Sequence, residues 1–147
     1  MALLASNYSV EFVEALEGED SPIIFKRVYG LNMRLRTARA VNQNGAIENI
    51  AGDIEPINIT LERGAGKGLA ALYHWFKKIR DGHMEKREIL ITLFNNAQQQ
   101  DDPAVVWRVK RAFPVALHAP EWNTEENTIA VEKIELTAED LEVEFPA

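Results

Sequence analysis

Two stretches near the start of the chain alternate or run apolar, Tyr8 to Leu16 and Ile23 to Leu35, and between them lies Glu17-Gly18-Glu19-Asp20-Ser21-Pro22. That cluster of turn formers predicts two strands joined by a turn. In the second, Tyr29, Leu31, Met33 and Leu35 fall on one face and Asn32, Arg34 and Arg36 on the other, because strand side chains alternate. A Gly-, Asn- and Gln-rich segment follows, from Asn42-Gln43-Asn44-Gly45 to Gly52-Asp53, after which Ile57, Ile59 and Leu61 alternate with Asn58, Thr60 and Glu62. The pattern predicts a long hairpin with a mobile loop over Asn42 to Gly52 as its connection.

The run Arg63-Gly64-Ala65-Gly66-Lys67-Gly68 leads into the one helix the periodicity supports, Leu69 to Arg80, with Leu69, Leu72, Tyr73, Phe76 and Ile79 as its apolar stripe. Lys77, Lys78 and Arg80 complement the helix dipole at its end, and Asp81-Gly82 supplies a left-handed stop. Strands return over Glu88 to Phe94, Val105 to Phe113 and Asn127 to Leu136, with a last extended piece near Leu141 to Phe145. Many strands, one mid-chain helix and no βαβ rhythm predict a mainly β fold. Its antiparallel strands form a sandwich or barrel with one flanking α-helix, in a single domain over residues 1–147.

Charge refines the picture. Lys and Arg number 16 against 23 Asp and Glu, a formal charge of −7, which disfavours a nucleic-acid binder held by net charge. The acids are concentrated from Glu121 to Ala147, where Lys133 is the single base, whereas Lys26 to Arg39 holds five bases and no acid. Such asymmetry can serve packing between identical chains, and it equally describes two solvated faces. No cysteine is present, which excludes disulfides, thiolate metal sites and cysteine nucleophiles. The apolar start, Met1 to Ala5, is too short for a signal peptide or membrane span, so the chain is expected to be made and kept in the cytoplasm unless a larger machine carries it out.

Candidate chemistry is thin. Gly64 to Gly68 is glycine-rich and precedes a helix, but Lys67 is followed by Gly68 where a phosphate loop needs Ser or Thr for magnesium. His74, His83 and His118 have no metal-ligand spacing, no serine sits in a Gly-x-Ser-x-Gly elbow, and no carboxylate pair is marked as a glycosidase site. Neither an enzyme nor a cofactor is indicated. Trp107 alternates with Val105 and Val109 and is expected in the core; Trp75, at the edge of the helix stripe, and Trp122, in a loop, are interface candidates.

The segment Val105-Val106-Trp107-Arg108-Val109-Lys110-Arg111-Ala112-Phe113-Pro114-Val115, then Glu121 to Asn127, then Thr128-Ile129-Ala130-Val131-Glu132-Lys133-Ile134-Glu135-Leu136, resembles the tail-tube protein family of contractile phages. The same family supplies the inner tubes of extracellular phage-tail-like injection systems. Upstream, Leu72-Tyr73-His74-Trp75-Phe76, Asp81-Gly82 and Arg87 to Leu93 look like its helix and following strand, and Val28-Tyr29-Gly30-Leu31 occupies the place of its early Gly-Leu motif. Lys26-Arg27-Val28-Tyr29 departs from the acidic and small residues commoner there, and the Asn42 to Gly52 loop has no match.

The resemblance implies a fold shared with the hexameric tube protein of type VI secretion. It further implies rings of six copies that stack, and two hairpins per copy joining a continuous sheet around a channel. Implied partners are the chain itself, a sheath protein, baseplate and terminator or cap proteins, a tape-measure protein, and cargo effector or DNA in the lumen, with no membrane insertion. Physical reasoning agrees, since open strand edges are a liability that neighbours can cover, and a head-to-tail contact that closes makes a ring. On this reading the channel wall is the polar face of the second strand with its hairpin partner and of Glu88 to Phe94 and Val105 to Phe113. Arg34, Arg36, Arg108 and Lys110 become lumen candidates, and the bore is expected to be basic, offset in part by Glu62 and Glu88. Lys77 and Lys78 become interface candidates toward a sheath. A baseplate tube initiator of the same fold and, further off, a monomeric β-barrel binding module are the alternatives.

Overall fold

Alternation is the organising feature of the folded chain, and it is clearest in the strand Arg87–Phe94, where Arg87, Ile89 and Ile91 are buried and the residues between them half-exposed. The computed structural model describes residues 7–14, 16, 24–64, 69–95, 102–120, 124 and 131–146. In chain order the elements are β1 (Tyr8–Phe12), β2 (Arg27–Tyr29), β3 (Leu35–Val41), β4 (Ile47–Ile54), β5 (Ile57–Gly64), α1 (Leu69–Arg80), β6 (Arg87–Phe94), β7 (Pro103–His118), β8 (Val131–Ala138) and β9 (Asp140–Glu144). Every pairing is antiparallel.

Seven of the strands form one sheet in the order β1-β6-β7-β8-β5-β2, with β9 also on β7. The sheet does not close on itself; it folds into a sandwich-like pair of layers, so the sandwich and not the barrel describes the chain. β7 makes the fold possible. Its first part pairs with β6 and β9, and its last part, from Phe113 to His118, pairs with β8. The change of layer falls at Arg111, whose φ of 56° is left-handed. Left-handed backbone is uncommon for a residue with a side chain and marks a local bend. Pro114, which cannot donate to a ladder, is tolerated because the register shifts between it and Ala116.

The two layers share one apolar cluster. Val10, Ile89, Ile91, Val109 and Leu141 come from one layer, Ile57, Ile59, Leu61, Ile134 and Leu136 from the other, and Ala71, Leu72 and Trp75 from α1. Each such side chain contributes about 1.5–3 kcal/mol on leaving water. Gly30 sits where nothing larger fits: its φ is +94°, and an added Cβ would lie 2.4 Å from the carbonyl oxygen of Asn58.

The helix falls where periodicity put it, but its buried stripe is turned. Ala71, Leu72 and Trp75 are buried and Tyr73 is exposed, so the small Ala71, not Tyr73, lets the helix approach the sheet. Its end is a Schellman cap, with His83 N donating to Lys78 O at 2.9 Å and Gly82 N to Ile79 O at 3.1 Å.

The larger departure is at Asn42 to Gly52. β3 and β4 form a separate two-stranded sheet there, so most of that segment is strand. Only Asn42 to Ala46 is a turn, and it is tightly specified. The Asn42 side-chain oxygen accepts from Asn44 N and Ala46 N at 2.9 and 3.0 Å, and Gly45 takes a φ of 80°. The expected single strand from Ile23 to Leu35 is accordingly broken into β2 and the start of β3.

Candidate assembly surfaces

Three surfaces remain after the core is accounted for: a charged sheet face, an open strand edge and a projecting arm. The charged face arises from strand alternation. With Ile89, Ile91, Val109 and Leu141 turned inward, their neighbours must turn out, and the pairing aligns them in rows across β1, β6, β7 and β9. One row is Glu11, Leu90, Arg108, Glu142; the next is Ser9, Thr92, Val106, Glu144. Glu88, Lys110 and Asp140 complete the face, with Lys110 opposite Asp140.

Arg108 and Lys110, two of the four lumen candidates, therefore lie on one face. They do not make it basic. Arg108 Nε is 3.1 Å from Glu144 and its Nη1 is 3.4 Å from Glu88, while Lys110 Nζ is 2.7 Å from Glu142. The hydrogen bond to Glu144 holds the Arg108 guanidinium above its ordinary value, and that to Glu142 does the same for Lys110. Reciprocally, Lys110 holds the Glu142 carboxyl below the ordinary carboxylate value. Arg108 and Lys110 stand against Glu11, Glu88, Asp140, Glu142 and Glu144, so the face is acidic. The expected basic tendency of this face is corrected: β9 lays its acids beside β7, a long-range pairing that sequence spacing does not reveal. Glu62 is elsewhere, on the outer side of β5, 3.3 Å from Arg27 and 3.6 Å from Lys133.

The other two lumen candidates, Arg34 and Arg36, sit at the start of the β3–β4 arm, on a separate sheet, both exposed. The arm is exposed on both sides. Leu35 is 55%, Val41 70%, Ile47 61% and Ile50 48% exposed, side chains that a solitary hairpin cannot bury. A two-stranded hairpin is at best marginally stable alone in water.

Trp75 does not serve as an interface anchor. It is 2% exposed, its Nε1 donates to Glu85 O at 2.7 Å, and its ring meets Phe12 edge to face at 5.8 Å. Its place one turn after Leu72, with Ala71 beside it, puts it inside. Trp107 packs against the core as expected. Lys77 is exposed on the outer helix surface; Lys78 reaches Glu85 at 3.8 Å. Trp122 and the segment 65–68, with Lys67, lie outside the described residues.

A surface hollow of about 420 Å³ lies by the bend of β7, lined by Val13, Glu14, Lys86, Arg87, Glu88, Lys110 and Arg111. Its cations are engaged: Arg111 and Lys86 both pair with Glu139, and Arg87 donates to Glu14 O at 2.8 Å. It is charged and open, unlike the apolar concavity a small-molecule binder uses. A buried pair, Arg63 and Glu132, faces across β5 and β8, where burial pushes the Glu132 carboxyl up against the opposing pull of Arg63. Among the described residues no three His, Cys, Asp or Glu side chains are grouped to hold a metal, and no helix is long and apolar enough to cross a membrane.

The chain matches the family model for the T4-like virus tail tube protein gp19 over residues 4–142. Among curated proteins none matches. Of solved structures, the anti-feeding prophage tube-terminating cap is similar at 28% identity and TM-score 0.84, covering 99% of this chain and 93% of that one. The sheath-tube complex of an extracellular contractile injection system, PVC, in the extended state gives 27%, 0.84, and the same coverage. A type six secretion system protein, at 9% identity and TM-score 0.60 over 96% of this chain and 84% of that one, shares the fold.

Proposed function

We propose, because the chain belongs to the T4-like virus tail tube protein gp19 family, that it is the inner-tube subunit of a contractile phage tail or phage-tail-like injection system, forming stacked six-membered rings around a lumen. The observation that carries this is the agreement with a sheath-tube complex over 99% of the chain at TM-score 0.84. The arm and the open strand edges are its physical counterpart, since they are completed by neighbours. Electron microscopy of the purified protein tests it. Rings or tubes are expected, and a species of single-chain size at high concentration would refute it.

The protein works as one structural domain over residues 1–147, without catalysis or cofactor. Sheath, baseplate and terminator or cap proteins are its partners, consistent with the particles in which its relatives occur. A tape-measure protein sets the length, because a head-to-tail stack has no stopping point of its own. Assembly takes place in the producer cytoplasm, and cargo effector or DNA travels in the lumen. We place the charged face of β6, β7 and β9 on the channel wall, with Arg108 and Lys110 lumen-facing, and Lys77 and Lys78 outward toward the sheath. Charges already paired on the wall would leave little net attraction for a passing acidic cargo. Neutralising Arg108 and Lys110 to Gln is expected to change cargo loading while tubes persist; lost tubes with unchanged subunit folding would put these residues in a contact between subunits.

A tube initiator is the second reading, favoured by the resemblance to the anti-feeding prophage baseplate, at 19% identity and TM-score 0.76, which shares its fold. Copy number in purified particles separates the two, a main tube subunit being present in many rings and an initiator in one.

A further inference from the structure

We propose that β3 of one copy adds to the open edge of β9 in another copy, setting Arg34 and Arg36 of the arm beside Glu142 and Glu144 of the receiving strand. This rests on the tube reading and deepens it, naming which strand edge meets which.

The receiving edge is defined by the topology. β8 and β9 run in one line along β7, from His118 opposite Lys133 through Phe113 opposite Thr137 to Val106 opposite Glu144. On their other side β5 covers β8 alone, beginning at Ile57 opposite Ala138. The residues before Ile57 could have continued along β9, but Pro56 has no N–H for a ladder, and Glu55 N donates instead to Arg34 O at 2.7 Å, starting the arm. Among the described residues nothing pairs with the second edge of β9. Its outward backbone groups are a template for another strand.

The donating edge is equally defined. β3 pairs with β4 alone, and both faces of that pair are exposed. A third strand would give the arm the support a lone hairpin lacks.

Charge then selects among the edges. Arg34 and Arg36 are two residues apart and share a side of their strand, as do Glu142 and Glu144, so the two pairs have the same spacing of about 6.6–6.8 Å. Arg34, Arg36 and Arg39 make no ion pair with any described residue. The face that β9 borders has the matching excess of acid, with Arg108 already between Glu88 and Glu144. β4 would set Glu48 and Asp53 against those acids and brings no base. β1, the sheet's other margin, offers Glu11 as its one charged residue. Because β3 and β9 are different surfaces, the contact runs head to tail, the geometry a ring requires.

The chain's lack of cysteine makes the test clean. Arg34→Cys or Arg36→Cys is combined with Glu142→Cys or Glu144→Cys, the assembled particles are oxidised, and products are resolved on a non-reducing gel. A ladder of covalent multimers is expected from at least one of these pairs, and none from Glu48→Cys with Glu142→Cys or from Arg36→Cys with Glu11→Cys. In parallel, Glu142→Arg with Glu144→Arg should lower tube yield at least tenfold, and adding Arg34→Glu with Arg36→Glu should restore it. Tubes visible by microscopy but no ladder from any β3–β9 pair, or a ladder through Glu48 or Glu11 instead, would overturn the edge assignment while leaving the tube reading intact. Wild-type protein that makes no rings or tubes would overturn both.

Discussion

The sandwich and the arm obey opposite rules within one chain. In the sandwich each strand sends one face into a shared interior, so Ile59, Leu61, Ile89 and Leu136 are fully enclosed by their own polypeptide. In the arm, β3 and β4 alternate as correctly and pair as fully, yet Val41 and Ile47 are 70% and 61% exposed. Pairing alone does not make a strand self-sufficient; it must also have something to lean on. The first region is complete in one copy, and the second is a half-built element that another copy finishes.

The contrast can be broken most strongly in the sandwich. Leu136→Ala should cost about 2–5 kcal/mol of subunit stability, measured by denaturant unfolding, because the enclosed site cannot collapse around the void. A smaller loss would mean the interior is looser than its burial implies. Gly30→Ala comes next, at about 1–3 kcal/mol, since the left-handed backbone is strained for alanine and Cβ meets the Asn58 carbonyl. Trp75→Phe should cost about 1 kcal/mol through the lost bond to Glu85 O, and it should leave assembly unchanged, which sharpens the assignment of this tryptophan to the core.

The arm should answer differently. Val41→Ser with Ile47→Ser is expected to shift subunit stability by within about 0.5 kcal/mol, as for exposed positions, while tube yield falls. A large loss of subunit stability would erase the distinction drawn here. The smallest effect concerns pH. Lys110 holds Glu142, and Lys86 holds Glu139, below the ordinary carboxylate value. A carboxylate depressed in the folded state stabilises above its unfolded pKa and loses that contribution as pH falls through its folded value. The melting-temperature gap between wild type and Glu142→Gln should therefore be present at neutral pH and vanish as pH drops below about 4.3 and on through the folded value. Glu132, displaced upward by burial, acts with the opposite sign: its contribution is full below its unfolded pKa and declines as pH rises through its folded one.

Local pattern and long-range pairing divide what could be read in advance. The helix bounds, its cap at Gly82 and the in-out order of β5, β6 and β8 follow from neighbours in sequence, and all were legible. β4 was missed because Glu48-Asn49-Ile50-Ala51-Gly52 has neither strong β propensity nor a buried face, the two signals on which strand recognition depends. The Asn42 turn, with a glycine at its left-handed position, was the available clue to the hairpin. β7 was cut short at Phe113 because a proline follows, and only the register shift after Pro114 explains its continuation. Of the site, Arg108 and Lys110 were placed together correctly from alternation, but their neutralisation by Glu142 and Glu144 depends on contacts 32 and 36 residues apart in sequence. Trp75 was misassigned because helix periodicity leaves the direction of the buried stripe uncertain by a fraction of a turn.

The passage of β7 through both layers has a mechanical meaning. Two sheets held only by side-chain packing can slide when one is pushed, whereas here sixteen residues of a single strand run from one layer into the other around Arg111. Force entering on the β6 side reaches β8 through the main chain itself. A hollow column driven lengthwise through a barrier gains its resistance to shear from such a crossing girder.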